Sequence, residues 1–292
     1  MTPEDVVRSL PCWQGAITLS PLAGGMSNAA FIVTADSGRY VARVGDDHHV
    51  HHISRAREAT ASRAAASLGL SPELIHEQPG VLVLRYLDAR PLSPEGVRAR
   101  LADCAQLIRR CHSDMAHAVS GPPGFFWVFH VLRDYAQTLR ADGHAVVADL
   151  PRLLAVAREL EHEQVPLPIV FTHNDLLAAN FLDDGQRLWL IDWEFSGFGT
   201  AMFDLASLAA NNGLTAEDED RLLTLYFGHA PDRALARAFS ATKAAAALRE
   251  ALWGHVSGIH LRVPGVDYDA YAAENLARFE ACYSEHQKRF GS

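Results

Sequence analysis

Short strand-length runs alternate with turn formers at the start of the chain. Ile17 to Leu22, Ala29 to Thr34 and Arg39 to Val44 are separated by Gly24-Gly25-Met26-Ser27-Asn28 and by Asp36-Ser37-Gly38. This spacing predicts three β-strands joined by tight turns. Residues 53 to 68 are rich in helix formers and stop at Gly69, which predicts a helix with a glycine cap. Two further strand-like runs lie around Leu74-Ile75 and at Val81 to Tyr86. Beyond Leu92 the period changes. Val97, Leu101, Ala105 and Ile108 recur at helical spacing behind Ser93, predicting one helix over 94–112. Helices are also expected near 128–140, 149–161, 201–211, 217–228, 232–260 and 268–289. The pattern thus predicts an α+β chain, β-rich over 1–90 and mainly helical over 91–292.

One stretch interrupts the helices. From Phe171 to Leu205 the chain reads FTHNDLLAANFLDDGQRLWLIDWEFSGFGTAMFDL. Phe181-Leu182, the turn Asp183-Asp184-Gly185 and the run Leu188 to Ile191 predict a β-hairpin. Closing it brings Asn180 and Asp192 together at the open end, with His173-Asn174-Asp175 just before. Such an oxygen-rich cluster suits Mg²⁺, which takes one or two carboxylates, waters and substrate phosphates.

Composition narrows the choice. The chain has 292 residues, 49% of them hydrophobic and 21% charged, as in ordinary globular proteins. No apolar run reaches membrane-helix length. The acidic start, Met1-Thr2-Pro3-Glu4-Asp5, is unlike a secretory signal, so a cytoplasmic location is expected. The four cysteines, Cys12, Cys104, Cys111 and Cys282, show no CxxC spacing and are expected to be buried free thiols. A net charge of −9 argues against nucleic-acid and anionic-membrane partners. Lys243 and Lys288 are the only lysines, so no GxxxxGK[ST] phosphate loop precedes residue 243. The cluster His48, His49, His51 and His52 lacks the spacing of a built metal site and reads as a mobile loop, open to adventitious metal.

The pattern His173-Asn174-Asp175, then Asn180, then Ile191-Asp192-Trp193-Glu194 resembles the catalytic segments of the protein-kinase superfamily. In the form HND…N…IDWE it resembles the small-molecule branch: choline/ethanolamine kinases and aminoglycoside phosphotransferases. The resemblance runs from Leu22 to about Arg289 and implies a bilobal, protein-kinase-like fold, with the lobes meeting near Tyr86 to Pro91. It implies ATP as co-substrate with Mg²⁺, an amino alcohol (choline or ethanolamine) as acceptor, and a monomer or homodimer. Asp175 would receive the hydroxyl proton, while Asn180 and Asp192 would hold the metal. Gly24, Gly25, Ser27 and Asn28 would cover the phosphates, resembling the GG(L/M)(S/T)N segment of choline kinases. Arg43 would take the place of the phosphate-pairing lysine, oriented by Glu58 of the Ile53-Arg55-Glu58 pattern. Arg85, Tyr86 and Leu87 would line the adenine site. Glu194 matches a choline-kinase glutamate that helps hold the metal or loop. Trp253, with Tyr268 and Tyr271, would cage the ammonium. His173 would orient the loop and Asp204 would brace it through backbone hydrogen bonds. The rival expectations are a kinase of an aminoglycoside, thiamine or a sugar, and a non-catalytic module of kinase shape.

Overall fold

The computed structural model describes residues 1–22, 27–261, 263 and 265–291. Gly24 and Gly25 lie outside them. Strands β1 (Thr18–Leu22), β2 (Ala29–Ala35), β3 (Gly38–Val44), β4 (Leu74–Gln78) and β5 (Val81–Arg85) form one antiparallel sheet ordered β1-β2-β3-β5-β4. Helix α1 (Pro3–Arg8) precedes the sheet, and α2 (Arg55–Ser67) crosses between β3 and β4. α1 has no counterpart in the sequence reading. It is six residues long and begins with a Thr2/Asp5 capping box, a short signal easily read as a terminus. Val7 and Leu10 from this segment seal the sheet over Val33, Tyr40 and Ala42.

After the short strand β6 (Arg90–Pro91) the chain is mainly helical. The single helix expected over 94–112 is two, α3 (Pro94–Ala99) and α4 (Leu101–Ala118). Arg100 breaks it. Its backbone leaves the helical region at φ −110°, ψ 28°, while its guanidinium pairs with Asp103 and Asp183. Helices α5 (Val128–Ala141), α6 (Leu150–His162), α7 (Ala201–Asn212), α8 (Ala216–Phe227), α9 (Arg233–His260) and α10 (Tyr268–Phe290) follow the apolar periodicity closely. Among the described residues no helix is long and apolar enough to cross a membrane.

Strands β7 (Ile169–Thr172) and β10 (Gly197–Thr200) pair antiparallel, and β8 (Phe181–Asp183) pairs with β9 (Leu188–Leu190) beside β6. The hairpin turn is the expected one. Gly185 has φ +85°, and Asp183 and Asp184 accept the backbone N–H groups of Gly185, Gln186 and Arg187. These short strands lie over a core that includes Leu101, Cys104, Phe171, Phe181, Trp193 and Leu205.

Two expectations are corrected. Cys12 is half-buried, because it sits at the rim of the small sheet rather than inside a core; the other three thiols are buried. The segment around His48 to His52 is also a folded turn rather than a mobile loop. His51 is buried, with ring nitrogens 3.1 Å from the Tyr135 hydroxyl and 3.1 Å from Ser257 Oγ. His52 pairs with Asp134 at 2.6 Å and His48 meets the Ser27 carbonyl at 3.0 Å. With three of the four rings bound to separate partners, they do not converge on a cation.

Candidate active site

Asp204 organises the catalytic segment. It lies on the first turn of α7, fully buried, and its two carboxylate oxygens accept the His173 N–H at 2.8 Å and the Asn174 N–H at 2.7 Å. His112 of α4 adds a third contact at 2.8 Å. Burial alone would raise the Asp204 carboxyl, but the bonds from His112 and His173 outweigh it and hold the group below the usual carboxylate range. This is the bracing expected of Asp204. It fixes Asn174 in the left-handed region at φ +66°, a conformation that asparagine tolerates better than most residues. His173 turns its ring onto the Ile191 carbonyl at 2.9 Å, tying the loop to the strand before Asp192.

Asn180 and Asp192 meet as the hairpin predicts. The Ile191 N–H donates to the Asn180 carbonyl at 3.0 Å, closing the open end. Asp192 then leaves the strand at φ +72°. The Asn180 amide nitrogen donates to the Asp175 carbonyl at 2.8 Å and to Asp175 Oδ2 at 3.0 Å. Burial, then the charges of Asp192 and Glu250, push the Asp175 carboxyl well above its ordinary value. A carboxylate tuned upward is a better proton acceptor near neutral pH.

Across from Asp192 lies Arg43 on β3. Its guanidinium sits 2.6 Å from Asp192, 3.1 Å from Glu58 and 3.8 Å from Glu194. The Glu58 pairing is thus present, and Arg55 joins it: Arg55 Nη1 reaches Glu58 at 2.6 Å and Glu194 at 2.8 Å, and Nη2 donates to the Ser27 carbonyl at 2.9 Å. The Ser27 hydroxyl donates to Glu194 at 2.7 Å. Burial, then Asp192, raise the Glu194 carboxyl to about 7. Glu194 therefore joins the turn after β1 to the segment after β9, and its oxygens are engaged with Ser27 and arginines.

A cleft of about 350 Å³ opens beside this network. Its wall includes Asn28, Arg43, Asn180 and Asp192 at one end, and Arg85, Tyr86 and Leu87 at the other. The wall between is apolar, with Ile32, Val41, Leu84 and Ile191. An apolar slot ending in a cation and carboxylates suits a base joined to phosphates. The donor set also fits a hard divalent cation. Glu58, Asp192 and Glu194 bring carboxylate oxygens within 4.8 Å of one another, and Asn180, having spent its amide nitrogen on Asp175, keeps a carbonyl oxygen for a metal.

With this geometry in view, the comparisons decide the family: the model of the phosphotransferase enzyme family matches residues 18–239. The chain belongs to that family. This phosphotransferase is 29% identical over 232 residues to protein LicA of Haemophilus influenzae, an alignment covering 77% of the chain and 66% of LicA. It is 28% identical over 169 residues to ethanolamine kinase 2 of Mus musculus, covering 53% of the chain and 42% of that enzyme. Among solved structures it is similar to a choline/ethanolamine kinase family protein of Mesorhizobium loti, with a TM-score of 0.77, 30% identity and 99% of both chains covered. The bilobal α+β expectation agrees with that likeness.

Helices α9 and α10 gather aromatic rings. Trp253 of α9 lies 5.4 Å from Tyr271 and 6.1 Å from Tyr268, both on α10, so the three expected rings do meet. Four neighbours were not expected at these rings. His51 packs 5.4 Å from Trp253, and Tyr135 lies 5.6 Å from His51. Glu250 accepts the Tyr271 hydroxyl at 2.7 Å, and Arg249 pairs with Glu250 at 2.6 Å. A charged pair inside the Ala-rich run of α9 was the one available signal for the last two.

Proposed function

We propose that this chain transfers the γ-phosphoryl group of ATP to the hydroxyl of choline or ethanolamine. One observation carries the reading: Asn180 and Asp192 line a cleft with an apolar slot and Arg43, and Asn180 bonds the Asp175 carboxyl beside them. Asp175 receives the hydroxyl proton as the alcohol oxygen attacks the phosphorus, and ADP leaves along the cleft. Asn180 holds Asp175 in place through its amide. Asn180 and Asp192 hold Mg²⁺, with Glu194 near enough to help. When bound, Mg²⁺ neutralises phosphate charge. Arg43, kept in position by Glu58, offers a planar fork to phosphate oxygens, and Asn28 lies at the same end of the cleft, with Ser27 beside it bonded to Glu194.

The acceptor's cationic end rests against Trp253, Tyr268 and Tyr271. A cation over such a ring gains about 0.5–2 kcal/mol. Catalysis is then mainly positioning and electrostatics, as a loose phosphoryl-transfer transition state requires. A coupled ADP-release screen over amino alcohols, thiamine, sugars and aminoglycosides tests the reading. Turnover confined to choline or ethanolamine supports it. Turnover of an aminoglycoside or thiamine with neither amino alcohol used refutes it.

A further inference from the structure

Arg249 has no part in the reaction as drawn, yet it is held at a cost. It lies in the middle of α9 at 1% exposure, and its Nη1 donates to Glu250 Oε1 at 2.6 Å. Its Nε and Nη2 groups are buried without a partner. The guanidinium stands 4.5 Å from the Phe195 ring centroid and lines a small opening with Tyr135 and Glu194. Buried charged donors left unmade are expensive, and folded chains rarely keep them unless a water or ligand completes the set. Glu250 is its mirror image. One oxygen takes Arg249 and the other takes the Tyr271 hydroxyl, beside the Trp253 ring. Asp175 feels the charge of both residues.

We propose that Arg249 and Glu250 form a subsite for the phosphorylated product, with the free N–H groups of Arg249 taking phosphate oxygens and Glu250 facing the ammonium. This rests on the reading that the acceptor is an amino alcohol. The free alcohol carries only a cation. Its phosphate monoester carries a cation and an anion on adjacent carbons, and Arg249 and Glu250 offer one charge of each sign, adjacent on one helix. A guanidinium fork suits phosphate oxygens in particular, because two parallel N–H groups match two oxygens. Without product, Glu250 engages only Nη1 of Arg249, and the other buried donors stay open. Arg249 therefore acts after transfer, retaining the product, while Glu250 acts on both forms.

Isothermal titration on the full chain tests this, with phosphoethanolamine and phosphocholine set against ethanolamine and choline. Arg249→Met should weaken the phosphorylated ligands by about tenfold or more while changing the free alcohols by less than about threefold, since two charge-assisted hydrogen bonds are lost only with phosphate present. Equal loss for both classes, at an unchanged melting temperature, overturns the proposal in favour of a packing role. Unchanged product affinity overturns it too. If the methionine variant melts early, Arg249→Lys keeps the charge but not the fork, and a selective product loss of about threefold is expected. Inorganic phosphate serves as an acceptor-independent probe. If the chain turns over neither amino alcohol but phosphate binding still depends on Arg249, the acceptor reading falls and the anion subsite stands. If choline or ethanolamine is turned over and product binding ignores Arg249, the subsite falls and the activity stands.

Discussion

Replacing Asp204 by asparagine removes one charge from the point that holds the catalytic loop. The side chain keeps its shape, but its nitrogen must now face a donor: the His173 N–H, the Asn174 N–H or the His112 ring. Each charge-assisted bond of this kind contributes about 1.5–3 kcal/mol, and removing one partner from a buried pair costs about 3–5 kcal/mol. A chain of this length shifts its melting temperature by roughly 2–4 °C per kcal/mol, so Asp204→Asn should melt roughly 6–20 °C below wild type. The sign with pH also follows. The Asp204 carboxyl titrates below its ordinary range in the folded chain. Its stabilisation is therefore fully present above the unfolded carboxylate pKa of about 4 and is lost as pH falls through the lower folded value. The gap between wild type and variant should narrow in acid. Thermal melts from pH 3 to pH 8 measure it. A variant melting within about 2 °C of wild type at neutral pH would refute the bracing role, since even the lowest bond estimate predicts more.

Other outcomes follow from the same geometry. Asp175→Asn should lower kcat by about 10²–10⁴-fold with ATP binding nearly intact, as measured by ADP release and nucleotide titration. In wild type, kcat/KM should fall on acidification with a midpoint above the usual carboxylate range, because Asp175 is raised and must be deprotonated to accept the proton; a flat acidic limb would count against it. Arg43→Ala should raise KM for ATP and reduce kcat, whereas Arg43→Lys should keep measurable activity, since lysine restores the charge without the fork. Trp253→Leu should raise KM for choline by roughly 3- to 30-fold and leave KM for ATP nearly unchanged, in keeping with about 0.7–2 kcal/mol of cation–π energy.

Local chemistry made much of this molecule readable in advance. The Asp-Asp-Gly turn between apolar runs specified the hairpin, and the hairpin specified the meeting of Asn180 and Asp192. The Arg43–Glu58 pair was expected from the family resemblance alone, and it is present at 3.1 Å. What was hidden depends on contacts between distant segments. Arg55 meets Glu194 across 139 residues, and His51 meets Ser257 across 206. No periodicity records such pairs. The break at Arg100 was hidden for the same reason, because Asp183, far along the chain, holds the guanidinium that ends α3. The histidine run reads as a mobile loop from its composition, yet its rings are held by the Ser27 carbonyl, the Tyr135 hydroxyl and Asp134, partners that no local pattern records.

The most direct measurement is identification of the reaction product. The chain, ATP, Mg²⁺ and choline or ethanolamine are incubated, and the products are followed by ³¹P NMR and mass spectrometry, with Asp175→Asn in parallel. A new phosphate-monoester resonance matching the O-phosphorylated amino alcohol, formed in step with ADP and missing from the variant, is the predicted result. ADP accompanied only by inorganic phosphate, or the same product at the same rate from Asp175→Asn, would contradict it.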